Sequence, residues 1–263
     1  MIRKTKIIAT IGPATANKST LKKIISKGVN VCRINFSHIS HEKAKEIISL
    51  IKTVNQELNV NTAILADLQG PKIRIGELSQ PIKIKTGEEI VLTTKKPKNK
   101  QIFVSYKNFS KDVRKGENVL IDDGKIKLKV LETTSAGIVK TKVVVPGTIS
   151  SFKGINLPNT KISLPCLTAK DKKDLKFILN EKIEWLALSF VREAEDLISL
   201  KRILKKNKSN IGVIAKIEKP EAVKNIEEIV DQADALMVAR GDLGVEIPAY
   251  RVPAIQKLIV KKS

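Results

Sequence analysis

The chain has 263 residues, 42% of them hydrophobic and 29% charged, an ordinary globular composition that excludes intrinsic disorder. No apolar run reaches the ~18 residues needed to cross a bilayer, and the stretch from Met1 to Lys6 lacks the apolar core of a secretory signal. The formal charge of +22 invites a nucleic-acid reading, but 41 of the 49 basic residues are Lys, they are spread along the chain, and aromatics for base stacking make up only 3%. No nucleic-acid partner and no membrane are therefore expected. Cys32 and Cys166 match no metal-ligand spacing and read as buried free thiols of a protein in the reducing cytoplasm.

In chain order, Lys6 to Gly12 reads as a buried strand, Ser19 to Lys27 as a helix stopped by Gly28, and Val29 to Phe36 as a second strand. Ser40 caps a helix through Leu58 with Ile47, Ile48 and Ile51 on one face, and Thr62 to Leu68 is a third strand. Near-continuous apolar strands alternating with helices predict a parallel sheet. From Leu78 to about Pro165 the rhythm changes to short alternating strands with a hairpin signal at Asp122-Asp123-Gly124. This segment is expected to be a small all-β insertion. The first rhythm then returns: a Thr168-capped helix to about Asn180, with Asp171 at its third helical position as in a capping box, a strand from Trp185 to Val191, a helix from Ala194 to Lys206 and a strand from Gly212 to Glu218. Pro220 opens a helix, Ala235 to Arg240 is the next strand, and Pro253 to Lys262 the last helix. The expected architecture is six βα units of an α/β (β/α)8 TIM barrel, which needs two more units to close. Its divisions are residues 1–76 and 166–263 for the barrel and 77–165 for the inserted β domain.

Functional residues of parallel α/β folds gather at the carboxyl ends of strands. Those ends carry Arg33 to His38, Asp67 to Arg74, Ser189 to Arg192, Lys216 to Glu218, and Arg240 to Asp242. Lys216 and Glu218 share one strand face, as a structural salt bridge or as a working pair. Glu218 and Asp242, from adjacent strand ends, offer oxygen ligands to a hard cation such as Mg²⁺. Arg33, Arg74 and Lys216 supply positive charge for a phosphate, and Gly241 lets backbone approach an anion. Metal-binding carboxylates beside phosphate-binding cations describe a phosphoryl-transfer site. His38 and His41 read as polar residues near a helix start, and Asp122-Asp123 as a turn.

Six segments carry a family resemblance: Thr5 to Ala14, Arg33-Ile34-Asn35-Phe36-Ser37-His38, Asp67-Leu68-Gln69-Gly70-Pro71-Lys72-Ile73-Arg74, Lys153 to Pro158, Ala215-Lys216-Ile217-Glu218, and Met237 to Glu246. In order and across the whole chain they resemble the motifs of pyruvate kinases, with the β insertion where that family has its lid. The resemblance implies the last step of glycolysis: phosphoryl transfer from phosphoenolpyruvate to ADP, giving pyruvate and ATP. It implies that Lys216 neutralises the transferring phosphoryl group and the enolate oxygen, and that Arg33 binds phosphate. Glu218 and Asp242 would be ligands of Mg²⁺ (or Mn²⁺), and the backbone at Gly241 and Asp242 would receive the substrate carboxylate. Arg74, His38 and Lys153 would lie on the nucleotide side, Lys153 arriving from the lid. A monovalent-cation site is implied at Asn35, Ser37, Asp67 and the Leu68 carbonyl. Lys72 stands where a K⁺-requiring subgroup has a glutamate, so K⁺ is expected to be dispensable, a fixed ammonium supplying the charge. The family is usually homotetrameric. Its seventh strand, with a threonine in a motif reading roughly A-T-Q-M, would begin after Ser263. The alternative expectation is therefore an inactive truncated remnant, or the amino-terminal half of a split enzyme with no activity alone.

Overall fold

A computed structural model describes residues 4–263; the part of the signal-sequence reading that falls on Met1, Ile2 and Arg3 lies outside them. The chain starts with β1 (Ile8–Thr10), α1 (Lys18–Ser26), β2 (Val31–Asn35), α2 (His41–Leu58) and β3 (Ala63–Asp67). Helix α1 begins before the expected Ser19, because the Asn17 side chain accepts the Thr20 N–H at 2.9 Å and caps the first turn. Ser40 caps α2 in the same way, and Asn59 in the left-handed region (φ 51°) ends it.

The insertion contains β4 (Ile73–Arg74), β5 (Ile82–Ile84), β6 (Glu89–Thr93), β7 (Ile102–Phe103), α3 (Phe109–Asp112), β8 (Asn118–Ile121), β9 (Ile126–Thr133), β10 (Ile138–Val145), β11 (Gly147–Ile149) and β12 (Gly154–Asn156). Seven strands form one sheet in the order β4-β12-β8-β9-β10-β6-β7, and β11 pairs with β5. The sheet reaches back to Ile73 and Arg74 because β4 pairs antiparallel with β12. The turn between β8 and β9 carries three successive left-handed residues, Asp122 (φ 54°), Asp123 (φ 55°) and Gly124 (φ 84°). Asp tolerates that region better than most side chains, so the DDG signal and the hairpin share one cause.

The first rhythm resumes with α4 (Ala169–Ile178), β13 (Trp185–Leu188), α5 (Ala194–Lys206), β14 (Gly212–Ile217), α6 (Pro220–Lys224), α7 (Ile226–Gln232), β15 (Ala235–Val238), α8 (Arg240–Glu246), a 3₁₀ turn (Ala249–Arg251) and α9 (Val252–Lys262). Six strands form one parallel sheet in the order β1-β2-β3-β13-β14-β15. The strand expected to run to Arg240 stops at Val238. Ala239 gives its N–H to the Ile217 carbonyl and its own carbonyl to the Leu243 N–H, so the ladder hands over to a helix there. Gly241 and Asp242 consequently sit in the first turn of α8 rather than on a strand end.

The central strands β3, β13 and β14 are buried on both faces, and residue parity decides what each face meets. Cys32, Ile34, Ile64, Ala66, Leu186, Leu188, Val213, Ala215 and Ile217 pack outward against the helices. Val31, Leu65, Ala187, Ile214 and Met237 form an apolar layer on the other, inner face. One step further along the same strands, the inner positions turn polar: Arg33, Asp67, Ser189, Lys216 and Glu218. The insertion has its own hydrophobic core, centred on residues such as Leu92, Val119, Leu128 and Val139. Among the described residues, no helix is long and apolar enough to cross a membrane.

Candidate active site

The polar inner layer is one connected network. The Lys216 ammonium lies 2.7 Å from Ser189 Oγ, 2.9 Å from Glu218 Oε1 and 3.1 Å from Asp67 Oδ1. Arg33 Nε donates to Asp67 Oδ2 at 2.7 Å, and its Nη1 donates to Thr10 Oγ1 at 2.8 Å. Lys216, Asp67, Ser189 and Glu218 are all buried, so each charge depends on the others. Burial alone would push the Lys216 ammonium down, but Glu218 and Asp67 outweigh it and hold its pKa above the ordinary lysine value. Burial pushes the Glu218 carboxyl up, and the nearby Asp242 carboxylate adds to the rise against the pull of Lys216.

Local backbone geometry supports this network. Glu218 Oε2 accepts the Phe190 N–H at 2.9 Å, and Phe190 adopts φ 59°, a costly conformation for a bulky side chain. Gly70 (φ +68°) backs it so closely that an added Cβ would lie 2.7 Å from Phe190 Cδ2. The loop holding Gly70 is fixed by Asp171, whose Oδ1 accepts the N–H groups of Gln69 and Gly70 at 3.1 and 3.2 Å. Asp171 was legible only as a capping residue; Ser189 and Phe190 carried no signal beyond their place at a strand end.

The other predicted residues fall in two places. His38, exposed, lines a cleft of about 330 Å³ with Thr10, Gly12, Pro13, Asn35 and Lys43. Arg74 and Lys153 sit on the insertion: Arg74 Nη1 donates to the Phe152 carbonyl at 3.0 Å, and Lys153 pairs with Asp122 Oδ1 at 2.9 Å. Lys72 and Asp242 line the narrow seam between insertion and barrel, with Asp123, Asn156, Lys219 and Glu246. Lys219 and Glu246 escaped the sequence reading, although Lys219 directly follows Glu218. Three of the oxygens expected around a monovalent cation already have protein partners: Asn35 Oδ1 takes the Ser37 N–H at 3.0 Å, Leu68 O takes Ser189 Oγ at 2.7 Å, and Asp67 holds Arg33 and Lys216.

Among the described residues, no three or more His, Cys, Asp or Glu converge as a ready metal site. Two crowded carboxylates, Glu218 and Asp242, do suit a small hard cation that completes its shell with water and phosphate oxygens. A buried ammonium, an adjacent guanidinium and a carboxylate pair at the carboxyl ends of parallel strands can together bind and polarise a phosphorylated anion.

Comparison with known proteins agrees with that chemistry. A model of the family described as "Pyruvate kinase, barrel domain" matches residues 2–263. Pyruvate kinase of Staphylococcus aureus (strain MRSA252) is 41% identical over 99% of this chain and 45% of its own length. Pyruvate kinase 2 of Synechocystis sp. is 42% identical over 98% of this chain and 45% of its own length. Pyruvate kinase of Staphylococcus epidermidis is 40% identical over 99% of this chain and 45% of its own. The chain thus spans about half the length of the curated relatives it matches, and over that span it belongs to the pyruvate kinase family.

Proposed function

We propose that this chain carries the catalytic centre for phosphoryl transfer from phosphoenolpyruvate to ADP. The observation that supports this best is the Lys216 ammonium, buried among Asp67, Ser189 and Glu218 and one residue from Arg33 across the Asp67 carboxylate. In the reaction the bond between phosphorus and the enol oxygen breaks, and its electron pair stays on that oxygen. An oxygen of the ADP β-phosphate forms the new bond to phosphorus, and the enolate takes a proton at its methylene carbon to become pyruvate. Lys216 offsets charge on the transferring group and on the enolate oxygen, a contribution that grows because its ammonium is buried. Arg33 orients the phosphate, and the backbone at Gly241 and Asp242 receives the carboxylate. Glu218 and Asp242 would hold Mg²⁺ (or Mn²⁺), which supplies a Lewis acid for the phosphoryl oxygens when bound. On the nucleotide side, Arg74 and Lys153 offer cations, and the His38 cleft offers a mostly apolar wall of Ile11, Pro13, Ile39 and Ile47.

The experiment is thermal unfolding with and without Mg²⁺ and phosphoenolpyruvate, followed by a pyruvate-forming assay with ADP. An upward shift in Tm with ligand supports an assembled site, and no shift rejects it. A ligand-induced shift with no pyruvate formed would mean binding without turnover. We further infer that K⁺ is dispensable. Lys72 lines the same seam as Asp242 and brings an ammonium to it, and the Asp67 carboxylate is already neutralised by Arg33 and Lys216. Equal turnover in Na⁺ and K⁺ is the expected outcome; strict K⁺ dependence rejects it.

A further inference from the structure

The seam between insertion and barrel holds a second buried ion pair, outside the phosphoryl-binding network. Lys219 is fully buried, and its ammonium lies 2.7 Å from Glu246 Oε2 and 3.4 Å from the Leu157 carbonyl. The other carboxylate oxygen, Glu246 Oε1, accepts the Asn156 side-chain amide at 2.8 Å. Asn156 closes β12, where the insertion returns toward the barrel; Lys219 follows Glu218; and Glu246 ends α8, whose first turn carries Asp242. One carboxylate therefore joins the root of the insertion, the residue after one candidate metal ligand, and the helix bearing the other. A second contact runs alongside it: the backbone at Gly124, in the β8–β9 turn, is so near α8 that an added Cβ would lie 3.5 Å from Val245 Cγ1.

We propose that Glu246, held by Lys219 and Asn156, is a positioning residue that couples movement of the inserted domain to the placement of Asp242. An ion pair this deeply buried is costly unless every oxygen and proton is used, and this one is used across three segments that must stay in register. If the insertion swings, Asn156 pulls on Glu246, and α8, which carries Glu246 at its end and Asp242 in its first turn, transmits the pull to Asp242. Metal affinity then depends on insertion position without any insertion residue touching the metal. The inference rests on the reading of Glu218 and Asp242 as metal ligands.

The test uses the whole chain and Mn²⁺ alone as probe, reading free Mn²⁺ by electron paramagnetic resonance and amide exchange at Leu243 and Ile247 in parallel. Asn156→Ala cuts the link and leaves the Lys219–Glu246 pair intact; Asn156→Asp sets a like charge against Glu246. Mn²⁺ affinity is expected to fall by about tenfold in Asn156→Ala and further in Asn156→Asp, the size of loss usual for a residue that orients a ligand. Exchange at Leu243 and Ile247 is expected to quicken while β9 and β10 keep their protection. Lys219→Arg, which keeps the pair, should stay close to the parent. A purely structural role would lower Tm yet leave the affinity of the folded protein unchanged. Equal Mn²⁺ affinity and equal α8 exchange in parent and Asn156 variants would overturn the coupling. No Mn²⁺ binding by the parent would overturn the metal reading itself, and the α8 exchange rates would still report separately whether Asn156 and α8 are mechanically linked.

Discussion

Under the proposed function Lys216 carries the largest share of the chemistry, since it is a buried cation facing two carboxylates. Lys216→Met removes the charge but keeps most of the volume, so phosphoryl transfer should fall by about 10²–10³, the usual cost of losing one preorganised group at a developing charge. A variant that folds and keeps parental turnover would remove Lys216 from the mechanism. Gly70 acts on the same site through backbone alone. Gly70→Ala places a Cβ 2.7 Å from Phe190 Cδ2 and strains a φ of +68°, and Phe190 holds Glu218 by its N–H. We expect a loss of about 1–3 kcal/mol in urea unfolding, the usual range for overpacking, together with weaker metal binding. Unchanged stability would mean that the loop yields freely. Of these residues, Lys216 and Glu218 were visible as an alternating charged pair on a strand. Phe190 and Gly70 were not, because a positive φ and a close approach are properties of the folded backbone.

The elements show what holds the strand ends in place. Asp234 enters β15, accepting the Val213 N–H at 2.7 Å and the Lys201 ammonium at 2.8 Å. Burial alone would raise its pKa, but the hydrogen bonds from Lys201 and Val213 outweigh it and hold the carboxyl below the usual aspartate value. A lowered folded-state pKa gives stability that is present above the unfolded value and lost as pH falls through the folded one. Asp234→Asn should therefore cost about 1 kcal/mol at neutral pH, the typical worth of such a hydrogen bond. The gap to the parent should close as unfolding is followed below the ordinary aspartate range; a gap that persists in acid would show that packing, not charge, is at work. Element types followed the sequence well where caps were local: Ser40 before α2, Thr168 with Asp171 before α4, and Asp122-Asp123-Gly124 in the hairpin. The boundary at Arg240 failed because Ala235 to Arg240 continues a strand-like apolar run, while the switch to α8 depends on where the neighbouring β14 ends.

The whole molecule has two separate hydrophobic cores, one in the parallel α/β part and one in the insertion. They are joined by a thin polar seam: the Lys219–Glu246–Asn156 cluster, and the Arg192 guanidinium donating to the Ile162 and Leu164 carbonyls at 2.7 and 2.9 Å. Two cores joined this way should open as separate cooperative units. Leu128→Ala, deep in the insertion core, should cost that unit about 2–5 kcal/mol and speed amide exchange in β8, β9 and β10, leaving β3, β13 and β14 protected. Uniform loss of protection across both parts would show one cooperative unit instead. The amino-acid sequence by itself determined the alternation of parallel and antiparallel segments, because apolar period and turn chemistry are local. It also determined which strand ends carry charge, since side-chain parity needs no knowledge of neighbours. Only the tertiary structure decided that Arg33, Asp67, Ser189, Lys216 and Glu218 form one network, and that Lys219 meets Glu246 across the seam. Apart from Lys216 and Glu218, those partners lie tens of residues apart in the chain, and their proximity arises from sheet order, which no local pattern encodes.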